Sequence, residues 1–314
     1  MINHIEIDRS IFESLLHSKV EIKKQIVGGN SRVSVLKVKN EIIIAKQYMG
    51  NMERKRISLD REVRSLDFLR TKNVTCVPKI IQVHEDKYLA FLEYLPGEVP
   101  ASNKDTLSQI VTFVKMLKII HDQDDSFPDA VGCVKGITDF VIQIEKRLAS
   151  LKTLMPKSIL IQEAYDVLSK LSSLNYDSDF PSDTYSVSDF GTHNMLQING
   201  SYKFLDLEFF GADSPVKLIA DFLLHPRNKF PKPLRDIFYE DLKKFFDIDD
   251  SAVTELLPLN ALNWALIVLR RLEFHKDSKK LGVENEILSL ARSYLRKSQF
   301  SGKQILAEAL YLDT

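Results

Sequence analysis

The chain has little of several features that mark specialised classes of protein. It contains only two cysteines, Cys76 and Cys133, on unrelated segments of 314 residues. We therefore expect packing cysteines in a reducing compartment, without a structural disulfide. Lys plus Arg equals Asp plus Glu at 43 each, so no global charge favours nucleic acid or a membrane surface. A small ligand that is neutral or locally matched in charge is a better partner for such a chain.

Other absences restrict the location and the architecture. No apolar run is expected to reach the roughly 20 residues that span a bilayer, and the first residues lack the basic-then-apolar order of a signal peptide. These observations predict a cytoplasmic protein. Internal repeats, low-complexity tracts and heptad arrays are also missing. A length of 314 residues with 44% hydrophobic content is enough for two packed lobes.

The hydrophobic pattern changes along the chain at the segment 96–100. Before it, alternating apolar residues predict strands, three within 20–48 and two within 79–93, with a helix over 53–70. The first 17 residues, with Ile5, Phe12, Leu15 and Leu16, fit a short helix packed on these strands, and a partly ordered segment is the alternative. After the boundary, helical spacing predominates, with helices predicted over 106–122, 138–151, 160–173, 234–246 and 253–275. The pattern predicts an α+β protein with a small five-stranded lobe and a larger helical lobe.

A glycine-containing turn and a lysine on a strand stand out in the predicted small lobe. The residues between the first two strands include Gly28, Gly29, Asn30 and Ser31. Such a turn is often an ordinary hairpin, but its backbone N–H groups can also contact phosphate oxygens. Lys46 follows the apolar run 42–45, so we expect it to be covered and to need an anionic partner. Glu62, on the predicted helix, can provide one.

A second constellation lies in the middle of the chain. Asp189 is followed five residues later by Asn194, and Asp206 ends a short apolar run 12 residues after that. This order can supply a base for an acceptor hydroxyl and two oxygen ligands for magnesium, as phosphoryl transfer requires. Each residue alone is an ordinary turn or cap residue, so the prediction depends on the whole set.

Together these motifs resemble the aminoglycoside phosphotransferase and choline kinase branch of the protein-kinase-like superfamily. The resemblance covers nearly the whole chain, and five matches in the right order make it specific. It implies a two-lobed protein-kinase-like fold, with a nucleotide-binding lobe over 1–95 and a catalytic, acceptor-binding lobe over 96–314. It further implies Asp189 as the catalytic aspartate, Asn194 and Asp206 as magnesium ligands, and ATP and Mg²⁺ as cofactors. The remaining nucleotide-binding residues are then the turn, the Lys46–Glu62 pair, and the backbone of a hinge at Glu93 and Leu95.

The motif around Asp189 departs from the family pattern. Asp189-Phe190-Gly191 spells the metal-binding tripeptide of protein kinases, but no upstream aspartate has an asparagine five residues later, whereas Asp189 does. We therefore assign Asp189 as the catalytic residue. The family usually has His-Gly before this aspartate, and this chain has Val187-Ser188, which leaves open how the loop is braced.

Two further carboxylates have alternative interpretations. Asp221 interrupts an apolar helix that Ser214-Pro215 would start, and it resembles the family's aspartate that braces the catalytic loop. A structural role is favoured over substrate contact, because a buried carboxylate needs hydrogen-bond donors. Glu208 is expected on the same side of a short strand as Asp206. It is either a residue supporting the metal site or a solvated strand end, with neither interpretation preferred.

The acceptor is the least determined part of the prediction. The segment 225–235 is locally basic, which gives a weak hypothesis of an acceptor carrying phosphate or carboxylate; a solvated basic loop is the favoured alternative. No dense acidic cluster is evident for a polycationic aminoglycoside. The leading prediction is an ATP- and magnesium-dependent kinase of a small-molecule hydroxyl, such as a sugar or amino alcohol. The alternatives are a protein kinase, disfavoured because no long activation segment follows Asp206, and a non-catalytic nucleotide-binding protein.

Overall fold

The computed structural model describes residues 9–28, 30–174, 180–275 and 281–310. These residues form two compact units. The first unit comprises Met1–Pro100 and Asn194–Phe210, and the second comprises Ala101–His193 and Gly211–Thr314. The first unit extends to Pro100, slightly beyond the predicted boundary after residue 95. The assignment of separate nucleotide-binding and acceptor-binding roles to the two parts of the chain stays a prediction.

The first unit is built on a five-stranded antiparallel sheet with the order β1-β2-β3-β5-β4. Its strands are β1 (Val20–Val27), β2 (Ser31–Val38), β3 (Glu41–Tyr48), β4 (Ile80–His84) and β5 (Leu89–Glu93). The first helix, α1 (Arg9–Leu16), packs on this sheet and buries Phe12, whose ring meets Phe91 edge-on at 6.2 Å. Full burial of a phenylalanine contributes about 1.5–3 kcal/mol. The predictions of five strands and of a packed helix within the first 17 residues are confirmed, and residues 1–8 of that segment lie outside the described residues.

The main helix of the first unit is α2 (Met52–Thr71). It begins after Asn51, whose side chain accepts a hydrogen bond from the Arg54 N–H at 2.8 Å and so caps the free end of the helix. The buried residues of α2 include Glu62. The helix packs against β3, and Glu62 lies on the helix face that meets this strand. This helix confirms the prediction over 53–70.

A hairpin from the middle of the chain belongs to the first unit. It consists of β7 (Met195–Ile198) and β8 (Ser201–Phe204), joined at Asn199-Gly200, both with positive φ. Glu98 and Gln197 exchange backbone hydrogen bonds at 3.2 and 2.8 Å, and the Phe204 N–H donates to the Cys76 carbonyl at 2.7 Å. These bonds attach residues 194–210 to the first unit although they are distant in sequence.

The second unit is mainly helical. Its helices are α3 (Lys104–Gln123), α4 (Ile137–Leu154), α5 (Ile159–Ser172), α6 (Pro215–Leu224), α7 (Lys232–Phe246), α8 (Asp250–Arg270), α9 (Leu281–Lys297) and α10 (Gly302–Leu310). Two short strands, β6 (Thr184–Ser186) and β9 (Gly211–Asp213), pair antiparallel. The predicted helices are confirmed, while α9 and α10 were not predicted. The α+β class, with a five-stranded sheet and a helical unit, is likewise confirmed.

Helix α8 corrects one expectation from the sequence. The stretch Asp250–Glu273 is long and apolar enough to cross a membrane, and it contains an 18-residue window with a mean hydropathy of 1.5, of which 72% is buried inside the protein. Helices α4, α5, α6, α9 and α10 all contact it, as expected for a core helix that is apolar on every side. In the sequence, Pro258, Asn260 and Asn263 interrupt the apolar residues of this helix, so no single uninterrupted apolar run marks it.

Candidate functional site

A buried lysine is held by two carboxylates in the first unit. The Lys46 Nζ, on β3, lies 2.5 Å from Glu62 Oε2 and 2.6 Å from Asp206 Oδ1. Tyr48, two residues further along β3, donates its hydroxyl to the same Glu62 oxygen at 2.6 Å. The Lys46 and Glu62 side chains are 7% and 2% exposed, whereas that of Asp206 is 38% exposed. The structure thus brings together three predicted residues, and only Asp206 is open to solvent.

The charges in this cluster reinforce one another. Burial by itself acts to lower the pKa of Lys46, but the carboxylates of Asp206 and Glu62 outweigh it and raise this pKa well above the ordinary value. Lys46 therefore stays a cation at any physiological pH. Burial, together with the Glu62 charge, also raises the pKa of Tyr48. Tyr48 thus remains a neutral donor to Glu62. Such an arrangement supplies a fixed positive charge beside a partly exposed carboxylate.

The glycine-containing turn packs on the segment that follows β8. The Gly28 N–H donates to the Ser31 carbonyl at 2.8 Å, closing the turn between β1 and β2. The Asn30 side chain donates to Glu208 Oε1 at 2.8 Å and accepts a hydrogen bond from Arg54. Asn30 is therefore used to anchor the turn. Gly29, predicted with these residues, lies outside the described residues.

Glu208 is buried, with 2% of its surface exposed, in the turn after β8. This excludes the solvated strand end that the sequence left open. Its Oε2 has no hydrogen-bond partner among the described residues. Burial, with a contribution from the nearby Asp206 charge, raises the pKa of Glu208 to about 7. An unsatisfied buried carboxylate oxygen is costly, so this position favours a cation or a donor beside it.

Asn194 and Asp206 lie at the two ends of the β7–β8 hairpin. The Leu205 N–H donates to the Asn194 carbonyl at 2.8 Å, which places these ends side by side. Asp206 has a φ of 63°, a left-handed conformation that aspartate tolerates better than most residues. Among the described residues, no group of three or more His, Cys, Asp or Glu forms a metal cluster. The oxygen donors Asn194, Asp206 and Glu208 nevertheless fit Mg²⁺, which binds through few carboxylates and keeps waters and phosphates as ligands.

The predicted hinge lies where β5 ends. The Glu93 N–H donates to the Lys79 carbonyl at 2.9 Å, and Glu93 Oε2 accepts from the Lys79 N–H at 3.1 Å. The Leu95 carbonyl accepts from the Gly97 N–H at 2.9 Å. The Glu93 N–H is thus used inside the protein, whereas the Leu95 carbonyl can accept a second hydrogen bond. The hinge assignment stays a prediction.

Asp189 belongs to the second unit, where two histidines and a backbone amide surround it. Asp189 Oδ1 lies 3.1 Å from His225 Nε2 and accepts a hydrogen bond from the Gly191 N–H at 3.0 Å. Asp189 Oδ2 lies 3.5 Å from His193 Nε2. Burial acts to raise the pKa of Asp189, but the hydrogen bonds from His193 and His225 outweigh it and hold this pKa well below its usual range. Asp189 is therefore a carboxylate at neutral pH.

A buried ion network joins β9 to helix α6 in the second unit. Lys217, on α6, contacts Asp213 Oδ2 at 2.8 Å and Asp221 Oδ2 at 3.1 Å. Asp213 lies on β9 opposite Thr184 of β6, the strand that leads toward Asp189. The carboxylate of Asp221 is therefore paired with Lys217, one turn earlier on α6. Its role in bracing the catalytic loop stays a prediction.

Sequence reasoning missed several residues of these clusters, among them Tyr48, Arg54 and His225. Tyr48 sits two positions after Lys46, so the period of a strand places it on the same face, and this signal was available. Arg54 lies in the first turn of α2 and offers no distinctive pattern. His225 was assigned to a basic segment, and its distance of 36 residues from Asp189 conceals their contact.

No protein-family model matches the chain, and no curated protein matches its sequence. Solved structures match over nearly its whole length. A putative aminoglycoside phosphotransferase from Ralstonia eutropha matches with a TM-score of 0.64 and 11% identity, covering 93% of this chain and 98% of its own. The choline kinase LicA from Streptococcus pneumoniae matches with a TM-score of 0.58 and 16% identity, covering 92% and 97%. ADP-bound aminoglycoside phosphotransferase APH(2″)-Ib matches with a TM-score of 0.57 and 17% identity, covering 94% and 100%.

At 11–17% sequence identity, these comparisons establish a shared fold and nothing about individual side chains. The shared fold agrees with the resemblance in the motifs, which rests on separate observations in the sequence. The chain has the protein-kinase-like fold that aminoglycoside phosphotransferases and choline kinases share.

Proposed function

We propose that this protein is a phosphotransferase that moves the γ-phosphate of ATP to a hydroxyl group of a small molecule, with Mg²⁺ as the metal. The observation that carries the proposal is the Lys46 Nζ held between Glu62 and Asp206 at 2.5 and 2.6 Å. A buried lysine fixed by a carboxylate beside a second, partly exposed carboxylate is suited to phosphate oxygens and their counterion.

The two carboxylates around Lys46 have different tasks in this proposal. Glu62 is buried and also bound by Tyr48, so it positions Lys46 permanently. Asp206 is 38% exposed and can exchange Lys46 for a metal ion without exposing a buried charge. Lys46 is then available to the phosphates of the nucleotide. Removing Lys46 would leave Glu62 buried without its cation, which is strongly destabilising.

Asp206, Asn194 and Glu208 are the residues that would hold the metal ion. When bound, Mg²⁺ would neutralise the phosphate charge that develops during transfer. The side chains themselves supply fixed oxygen donors at the end of a hairpin. Because the hairpin is attached to the first unit by backbone hydrogen bonds, these donors are positioned before the nucleotide binds.

Asp189 would orient the acceptor hydroxyl and take its proton late in the reaction. Its pKa is held below the usual range, so it is a weak base but is always ionised at neutral pH. A weak base suffices where the transition state is loose and the hydroxyl loses its proton late. The protein contributes mainly by positioning, which needs a carboxylate with a single orientation.

The acceptor class is a small hydroxylated metabolite such as a sugar or an amino alcohol. The structural relatives named above include a choline kinase and aminoglycoside phosphotransferases, and this supports a small-molecule acceptor at the level of the fold. The hypothesis of an anionic acceptor depended on the basic segment 225–235. His225 of this segment contacts Asp189, so it is not available to an anionic acceptor. We also propose a cytoplasmic location, in keeping with the two free cysteines.

The proposal is tested by phosphate transfer from labelled ATP into a cell extract, separated afterwards into small-molecule and macromolecular fractions. We expect magnesium-dependent labelling of a small metabolite with the wild-type protein. Asp206→Ala should abolish it, and Asp189→Ala should lower its rate on the order of a hundredfold or more. Asp105→Ala, which removes an exposed carboxylate on α3, is the matched control and should retain full activity.

Two results would contradict the proposal. Labelling of protein in place of a metabolite would indicate a protein kinase. Binding of ATP, measured by calorimetry, without labelling of any fraction would indicate a nucleotide-binding protein. Near-normal turnover in the Asp206 or Asp189 variant would refute the assignment of these residues.

A further inference from the structure

Asp189 lacks the histidine that normally precedes the catalytic aspartate in the resembling family, since Val187-Ser188 occupies that place. A carboxylate that must orient a hydroxyl needs a partner that fixes its rotation. The structure contains a candidate partner, His225, from a different part of the second unit. Its Nε2 lies 3.1 Å from Asp189 Oδ1, and it is buried, with 8% of its surface exposed.

The local sequence directs His225 away from helix α6. The next residue is Pro226, which disfavours the helical conformation in the residue before it. His225 accordingly has φ −61° and ψ 123°, and α6 ends at Leu224. The Asn228 N–H donates to the His225 carbonyl at 3.0 Å, closing a four-residue turn with proline in its second position. The backbone of His225 is therefore held by a turn.

The imidazole ring of His225 is held as firmly as its backbone. The Arg227 N–H donates to His225 Nδ1 at 3.1 Å, so Nδ1 is an acceptor and carries no proton. The proton of the neutral ring must then be on Nε2, the nitrogen that faces Asp189. Trp264 packs edge-on against the ring at 4.9 Å, and His193 stacks on it at 5.6 Å. The tautomer and the orientation of the ring are thus both determined.

Gly191 makes room for this arrangement. A Cβ at residue 191 would lie 2.3 Å from His193 Cε1 and Nδ1, and 2.9 Å from His225 Cε1. Any larger residue would push one or both imidazoles away from Asp189. The Gly191 N–H also donates to Asp189 Oδ1, the same oxygen that His225 contacts. One carboxylate oxygen therefore receives two donors, and this fixes the plane of the carboxylate.

We propose that His225 is a positioning residue for Asp189, donating from Nε2 to hold the carboxylate in the orientation that the acceptor hydroxyl requires. The inference rests on the proposed function. It answers how a loop without the usual histidine is braced: the histidine comes from the turn after α6, and Arg227 selects its tautomer through a backbone N–H.

The first test measures the tautomer of His225 directly and does not depend on activity. Long-range ¹H–¹⁵N correlation spectra of the wild-type protein at pH 7.5 distinguish a protonated Nε2 from a protonated Nδ1. We expect the Nε2–H form, with shifts that change in Asp189→Ala. A protonated Nδ1 would overturn the proposal, whether or not the protein is a kinase.

The second test compares His225→Gln with His225→Leu in the labelled-ATP assay, using the metabolite that becomes labelled. Glutamine keeps an N–H donor close to the Nε2 position, and leucine does not. We expect His225→Leu to lower kcat by about tenfold or more, with an unchanged KM for ATP, and His225→Gln to recover most of the loss. The matched control is His121→Leu, which removes an imidazole packed on Tyr185 at 4.9 Å and should leave kcat unchanged.

The outcomes separate this inference from the proposed function. A purely structural role for His225 predicts equal losses in both variants, in parallel with their thermal unfolding temperatures, and would overturn the inference. A kcat within twofold of wild type in His225→Leu would also overturn it. Absence of transfer by the wild-type protein would refute the proposed function instead. The tautomer of His225 can be measured in that case too, because the spectra do not depend on activity.

Discussion

Gly302→Ala should destabilise the second unit, because helix α10 meets helix α8 there without room for a methyl group. A Cβ at residue 302 would lie 1.6 Å from the carbonyl oxygen of Thr254 and 2.4 Å from its carbonyl carbon. Both atoms belong to the backbone, so rotating a side chain cannot relieve the clash. The first turn of α10 would have to move by more than an ångström.

The reason for this close contact is visible in the sequence of α8. Pro258 has no N–H, so the carbonyl of Thr254, four residues earlier, cannot form its helical hydrogen bond. Gly302 has a hydrogen on its Cα where every other residue has a Cβ, and this hydrogen points toward the Thr254 carbonyl. The contact is of the Cα–H···O type and partly compensates the carbonyl for the missing bond. Alanine would lose this contact in addition to introducing a clash.

The magnitude follows from what α10 buries. Inserting a methyl group into a tightly packed contact costs about 1–3 kcal/mol. If α10 detached completely, Ile305 and Leu310, which are 0% and 2% exposed, would each lose about 1.5–3 kcal/mol of burial. We therefore expect a loss of about 2–4 kcal/mol in the free energy of unfolding, a value between local adjustment and full detachment.

The assay is urea unfolding followed by circular dichroism, with Gly282→Ala as the matched control. Gly282 lies in the first turn of α9, and a Cβ there would meet nothing within 4 Å. Alanine at this position should be neutral or stabilising by up to about 1 kcal/mol, because glycine is the poorer helix former. If Gly302→Ala were as stable as Gly282→Ala, the backbone clash between α8 and α10 would be refuted.

Three further predictions concern buried polar groups. Lys217→Met leaves two buried carboxylates without their cation and should cost about 3–5 kcal/mol in urea unfolding. Lys115→Met, at the partly exposed pair with Asp241, should cost about 1 kcal/mol or less, and equal losses would contradict this. Tyr48→Phe removes a donor from a buried carboxylate and should cost about 1–3 kcal/mol, and an unchanged stability would show that this bond is unimportant. Burial raises the pKa of Cys76 and of Cys133 to about 11. Iodoacetamide at pH 8 should therefore alkylate these thiols about a hundredfold more slowly in the native protein than in urea, and the native rate should increase as the pH rises toward 11. Similar rates in the native protein and in urea would refute this.

Features that depend on near neighbours in the chain were predictable. Alternation of apolar residues located the five strands, and the 3.6-residue period located α2 through α5, α7 and α8. The helix α6 begins at Pro215 after the Ser214 cap, as the local sequence indicates. The residues Lys46, Glu62, Asp189, Asn194 and Asp206 could be selected because their order and spacing, taken as a set, resemble a known family. What each does in the reaction stays a proposal.

Features that depend on distant segments required the tertiary structure. The partners Lys46 and Asp206 are 160 residues apart, and their contact at 2.6 Å exists because the β7–β8 hairpin joins the first unit. Glu208 is buried and accepts a hydrogen bond from Asn30, 178 residues away in the sequence, and no local pattern records this contact.

The sequence by itself determined the elements and the chemical groups of this protein, because propensity, periodicity and capping act over a few residues. Only the tertiary structure decided which groups meet. His225 looks like part of a basic loop in the sequence, and packing turns it into the partner of Asp189. Hydrogen bonds and van der Waals contacts act at distances of a few ångströms in space, whatever the separation along the chain, and a linear pattern carries little information about them.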